Sequence, residues 1–251
     1  MLNGDFLILW FLASLRATGL MMISPVFSSR SVPAPIRVML ALFVAFVAAM
    51  LVKGPQSIPA NLGALVVAAA VEIMVGLFMG WAIKLVLHGV EVASHIISSE
   101  LGFSMGQQID PMSDTPENAV GQLLMSFGSL CFLISGAHQA VLSAFLHSYE
   151  IAPMGALRGN EGAGALLVGA TGKIFQAGIQ MAAPLVAVNF IISLTFSILG
   201  KAAPATNVFG ESFAVRIVVG LTLLGLTLTL ASQLLLTALH QAPELMLRLI
   251  P

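Results

Sequence analysis

Two sets of residues in this chain have the types and spacing to do chemistry. His88, Glu91 and His95 recur at intervals of three and four. On a helix that spacing puts two imidazoles and a carboxylate on one face, where they could ligate a metal or carry protons. A catalytic metal site needs at least three converging ligands and outer groups that orient them. No second His/Glu motif is expected on a facing helix, and His138, His147 and His240 are scattered. The simpler reading is a polar packing stripe in which Lys84 with His88, and Glu91 with His95, pair at (i, i+4). Glu72 stands in an otherwise apolar run. An intramembrane acid can couple protons, but a salt bridge or hydrogen bond to a facing helix is the preferred expectation. H-E-x-x-H, Walker A and G-x-G-x-x-G motifs are missing and no His is paired with a Ser at nucleophile spacing, so the sequence predicts no enzyme and calls for no cofactor or metal.

The elements that hold these residues are membrane helices. The chain has 251 residues, 58% hydrophobic and only 8% charged. An ordinary soluble domain carries about 25% charged residues, so the composition is that of an all-α membrane protein. Net charge is −1, which gives no electrostatic case for nucleic acid. The single Cys131 excludes an intrachain disulfide and a cysteine metal cluster. The first apolar run lacks a basic leader and contains Arg16, so it is expected to be a structural helix and not a cleavable signal. A bilayer crossing takes about 20 residues, and roughly six segments qualify. They are expected at Phe6–Ser24, Val38–Val52, Leu62–Leu87 with helical pattern to Glu100, Gln122–Leu146, Ala165–Leu199 and Phe213–Leu239, before an amphipathic tail. Pro184 predicts that the fifth is two pieces, bent or broken there. Connections carry Arg30, Arg37 and Lys201 on one side and Lys53, Arg158 and Arg248 on the other, so charge bias assigns no orientation.

Polar and small residues are patterned inside these spans. Glu72, Gly76, Gly80, Lys84, His88, Glu91, His95 and Ser98 trace one stripe, and Gly76 with Gly80 forms a G-x-x-x-G that admits a close helix. Gly169, Lys173, Gln176, Gln180 and Pro184 trace another. Both stripes predict packing by helices of this chain or of another subunit. The longest polar interval, from Leu101 to Gly121, holds Asp110, Asp114 and Glu117 with no Lys or Arg. Its backbone cannot lie against lipid. Met105 and Met112, soft and unbranched, stand near Phe103 and Ile109 and could make a deformable seal.

An ordered set of short motifs then carries a resemblance. Arg16, Gly19, Pro25-Val26-Phe27-Ser28, Val32-Pro33 and Arg37 open it, followed by Glu72, Gly76 and Gly80. Gly102-Phe103-Ser104, Asp110-Pro111, Gly136-Ala137-His138, Pro153-x-Gly155, Pro184 and Asn189 continue it. Ala203-Pro204-x-x-Asn207-Val208-Phe209, Phe213 and Gly220 close it. The set resembles the FliR family, called SctT in injectisomes: membrane components of type III protein export gates, over nearly the whole chain. Two departures are Ala205, where relatives commonly carry Gln, and Lys201, where many carry Arg.

The resemblance implies an inner-membrane subunit of the flagellar basal body, with the injectisome gate as the alternative. It implies helical hairpins assembled with FliP-type and FliQ-type subunits into a cone-like gate, in contact with FlhB-type and FlhA-type export proteins. Unfolded secreted proteins would be the substrates. Residues 1–121 would resemble the FliP type and end in a plug loop, and 122–251 the FliQ type, together making one structural unit. The plug would comprise Phe103, Met105, Gln108, Ile109, Asp110, Pro111 and Met112. Arg16, Glu72, Gly76, Gly80, Lys84, Pro204 and Asn207 would serve subunit packing. A secondary transporter would explain Glu72, Lys84 and a helix broken at Pro184, but requires an internal repeat that the sequence lacks.

Overall fold

Runs of Leu, Ala, Met and Phe favour helix, and a helix satisfies its own backbone where water is absent. The computed structural model describes residues 4–25, 27, 32–52, 59, 61–102, 119–155, 162–204 and 208–250. Among them are seven helices and no strand: α1 Gly4–Ile23, α2 Ala34–Leu51, α3 Leu62–Glu100, α4 Ala119–Ile134, α5 Ala137–Ile151, α6 Ala163–Ala202 and α7 Val208–Arg248. Five are long and apolar enough to cross a membrane, or up to six if the α4–α5 pair is one broken span.

Local chemistry sets the boundaries. Asn61 starts α3, its Oδ1 accepting from the Ala64 N–H at 2.8 Å as an N-cap. Pro33 and Pro35 open α2, where missing amide donors matter least. The Arg37 guanidinium closes that turn by donating to the Val32 carbonyl at 2.9 Å. The fourth expected segment is two helices: Gly136, with φ of 71°, separates α4 from α5 in a left-handed conformation that glycine adopts freely. The fifth is one 40-residue helix that runs unbroken through Pro184. A proline removes one hydrogen bond and need not end a helix held by packing on both sides, as Ala182 and Leu185 are here. The expected tail is likewise the end of α7, which continues through Pro243 to an exposed Arg248–Glu244 pair at 2.6 Å.

The chain divides into two compact units. One comprises Met1–Val86, Phe132–Thr171 and Ala238–Pro251; the other comprises Leu87–Cys131 and Gly172–Thr237. In the first, α1 and α2 are joined by edge-on contacts of Phe6 and Trp10 with Phe46, and by Trp10 Nε1 donating to the Leu42 carbonyl at 3.2 Å. There α1 and α3 also approach at backbone distance. A Cβ on Gly19 would lie 2.8 Å from the Ile73 carbonyl oxygen, and one on Gly80 2.7 Å from that of Leu20. On Gly76 it would collide with the Arg16 carbonyl. The G-x-x-x-G of α3 is thus met by a glycine on α1.

The second unit has its own crossing, between Gly89 of α3 and Gly178 of α6. A Cβ on Gly178 would sit 2.6 Å from the Gly89 carbonyl oxygen, and Ile174 closes over Gly89. The second polar stripe does not face this seam. Lys173, Gln176 and Gln180 are exposed, whereas Gly178 and Met181 are buried.

These crossings are directly testable. Gly76→Val should lower stability by about 3 kcal/mol, because a carbonyl and not a flexible side chain stands in the way. Gly169→Ala, in open space on α6, should leave stability unchanged or raise it by up to about 1 kcal/mol. Thermal unfolding of the purified protein in detergent distinguishes the two.

Candidate functional site

Glu72 finds its partner in α1. Arg16 Nε donates to Glu72 Oε2 at 2.6 Å and Nη2 to Oε1 at 3.1 Å, a bidentate pair. The same Nη2 donates to the Ala152 carbonyl at 3.0 Å, and Nη1 to Ser148 Oγ at 3.0 Å. Glu72 Oε1 also accepts from the Gly155 N–H at 3.0 Å. The Tyr149 ring covers the guanidinium, 4.3 Å from its carbon, and is held edge-on by Phe145. Arg16 is 1% exposed and Glu72 0%.

Helix geometry explains this convergence. Gly19 and Gly76 let α1 and α3 close until a short Glu reaches a long Arg. The carbonyl of Ala152, just past the end of α5, is one that a helix terminus leaves without an intrahelical partner, and the guanidinium supplies its donor. Gly155, with φ of 74°, turns its N–H back onto the carboxylate. The cluster therefore ties α1, α3, α5 and the turn after α5 through charged groups. Its chemical capacity is structural, since neither charge is open to a substrate. Arg16, Glu72, Gly76 and Gly80 accordingly make their contacts inside this chain, which is the packing that full burial permits.

The other expected residues are placed differently. A spacing of four advances by roughly 40° per step on an α-helix, so Lys84 is turned about 120° from Glu72. Lys84 is exposed where Glu72, Gly76 and Gly80 are buried. His88 Nδ1 and Glu91 Oε2 lie 2.5 Å apart and half-exposed, while His95 is exposed seven residues further on. About 10 Å of helix separates the two imidazoles' positions, so the carboxylate serves one of them and not both. Pro204 is exposed after α6. Phe103, Met105, Gln108, Ile109, Asp110, Pro111, Met112 and Asn207 lie outside the described residues.

The chain leading to residue 103 is nevertheless firmly placed within the second unit. Leu101 is fully buried and packs against Gly220, where any Cβ would collide with it. Gly102, with φ of 80°, lies under Phe213, whose ring stands 2.5 Å from the position of a Cβ. Asn189 Nδ2 donates to the Glu100 carbonyl at 2.9 Å and so caps the end of α3. Asn189, Phe213 and Gly220 are thus what holds the base of the polar interval.

With this geometry in place, comparison with known proteins is informative. Residues 7–242 match the family model described as bacterial export proteins, family 1. The chain belongs to that family. Among its relatives in bacterial export, the flagellar biosynthetic protein FliR of Caulobacter vibrioides is 30% identical over 217 residues, covering 85% of this chain and 86% of that protein. FliR of Escherichia coli is 27% identical over 226 residues, 88% of this chain and 84% of that protein. Yop proteins translocation protein T of Yersinia pestis is 26% identical over 140 residues, 55% of this chain and 54% of that protein.

Ser148, Tyr149 and Arg216 are polar residues of consequence that pattern alone does not single out. Ser148 and Tyr149 signal nothing until α5 is folded against Arg16.

Breaking the Arg16–Glu72 pair has a defined expectation. Glu72→Gln leaves a buried guanidinium without its counter-charge and should cost about 3–5 kcal/mol. The double replacement Arg16→Met with Glu72→Leu removes both charges and should recover most of that loss. Thermal unfolding of the single and double variants measures the difference.

Proposed function

We propose that this chain is a membrane-embedded subunit of the flagellar protein export gate, forming part of the wall and closure of a channel that passes unfolded proteins. What carries the reading is the family match over residues 7–242, together with flagellar relatives that align over 85% and 88% of this chain. The injectisome gate is the second reading, favoured by a relative matching over 55% of this chain.

A physical argument supports a multi-subunit gate. The exposed apolar side chains of α6 run from Val168 to Leu199, 31 residue steps. At 1.5 Å per residue that is about 47 Å. A hydrocarbon core of about 30 Å, crossed at a steep tilt of about 40°, accepts only about 39 Å of helix. Lys173, Gln176 and Gln180 are exposed within the same band. A lysine facing lipid costs up to about 3 kcal/mol at mid-span and less near the end of the span. Cover by other protein would relieve both costs, and FliP-type and FliQ-type subunits in a cone-like assembly are the proposed cover. FlhB-type and FlhA-type proteins are the proposed further contacts. Residues 1–121 and 122–251 take the FliP-like and FliQ-like places.

The role is one of passage and not catalysis. Energy for export comes from other components, since the chain has no nucleotide motif. The interval containing Phe103, Met105, Gln108, Ile109, Asp110, Pro111 and Met112 is the proposed plug, with Met side chains sealing around variable contents. Lys84, Pro204 and Asn207 are the proposed outward packing positions.

Deleting Ser104–Asp114 should raise ion leak through the assembled gate severalfold while leaving co-purification of partner chains intact. Unchanged leak in a properly assembled complex would count against the plug. Failure of the intact chain to co-purify with any export subunit would sink the gate reading itself.

A further inference from the structure

A second arginine lies within a membrane-length helix, and it is satisfied quite differently from Arg16. Arg216 stands on α7 between Phe213 and Gly220, residues that share its face and pack on Gly102 and Leu101. Its Nη2 donates to Ser193 Oγ of α6 at 2.9 Å. Ser193 Oγ in turn donates to the Asn189 carbonyl at 2.7 Å, and Asn189 is buried with its amide on the Glu100 carbonyl. The guanidinium is thus anchored by a fixed hydroxyl.

Among the described residues no carboxylate answers its charge. The ion pairs among the described residues are Arg16–Glu72, His88–Glu91, His147–Glu150 and Glu244–Arg248. Glu100 joins the Arg216 network only through its main-chain carbonyl. The Nε of Arg216 is buried without a hydrogen-bond partner. A guanidinium offers five N–H donors in a fork that matches a carboxylate. Arg216 is half-buried, which leaves it reachable from outside.

We propose that Arg216, positioned by Ser193, receives an aspartate or glutamate carried on an apolar helix of a partner subunit. The inference rests on the export-gate reading and names a site through which that assembly is specified. Depth favours a protein carboxylate over a lipid phosphate. Arg216 lies eight residues into α7, about 12 Å from its start. On the neighbouring α6, Leu194, Ile198 and Leu199 lie between Ser193 and the helix end and are exposed apolar residues. The phosphate plane belongs beyond them, and the Ser193 bond restrains Arg216 from reaching towards it. The flanking side chains, Phe190 and Leu194 on α6 with Val215 and Val218 on α7, are exposed and apolar. They fit a greasy helix with one acid at the matching depth. Inside an apolar interface such a pair has directional value, because a partner without the acid leaves a buried charge unanswered.

The test uses the full chain, tagged and purified with whatever chains accompany it. Arg216→Leu should accumulate in membranes, yet bring down its partner chains at least tenfold less well, whereas Arg216→Lys should retain most of the yield. Arg216→Glu should abolish motility. Suppressors of that defect should place Lys or Arg at an acidic position in a membrane helix of a co-purifying chain, and this selection decides the matter if Arg216→Leu fails to accumulate. Three outcomes overturn the proposal: wild-type partner yield with Arg216→Leu, suppressors confined to Asp110, Asp114 or Glu117 of this chain, or loss of bound anionic phospholipid with partner yield unchanged. If the wild-type chain brings down no partner, the export-gate reading fails and this inference falls with it.

Discussion

A buried ion pair dictates how the first unit of this protein is built. Arg16 and Glu72 are both removed from solvent, and neither is tolerable alone in apolar surroundings. Their bidentate contact requires α1 and α3 to approach until backbone meets backbone, which only Gly19, Gly76 and Gly80 allow. The remaining guanidinium donors then reach Ser148 and Ala152, so α5 is recruited by the same charge. Hydrophobic burial discriminates poorly among apolar helix faces, since most fit against most others. An ion pair with fixed geometry does discriminate, and here it selects one register for three helices.

The second unit achieves close approach by related means, with no buried charge pair among its described residues. Gly89 and Gly178 bring α3 and α6 together, and Gly220 admits Leu101. Its polar network is neutral for most of its length: Asn189 caps α3, Ser193 bonds Asn189, and Arg216 bonds Ser193. The network secures the place where α3 gives way to the polar interval. Leu101, Gly102 and Phe213 fix the last residues before that interval.

Long helices with apolar outer faces are a liability for a solitary chain and suit a subunit. α3, α6 and α7 have 39, 40 and 41 residues, each about twice the length needed to cross a bilayer. Exposed Lys173, Gln176 and Gln180 would be costly in lipid and ordinary in a protein-lined seam. Membership in a bacterial export family gives those surfaces a purpose.

Much was legible in the residues themselves. Composition determined a membrane protein, because 8% charge cannot cover a soluble surface, and apolar runs of about 20 residues made its spans helical. The order of short motifs identified the export family, and Gly76 with Gly80 marked a close helix contact. Spacing could not say which face of α3 is inside. A row at intervals of four winds around the helix, so Glu72 is buried while Lys84 is exposed, and the polar stripe of α6 faces outward while Gly178 makes the seam. Pro184 read as a break and is not one, whereas Gly136 makes the break within what reads as a single span. Such choices depend on neighbours remote in the chain: Arg16 lies 56 residues from Glu72 and 132 from Ser148. A one-dimensional pattern records that a residue needs a partner; only folding brings the partner within reach and fixes which one it is.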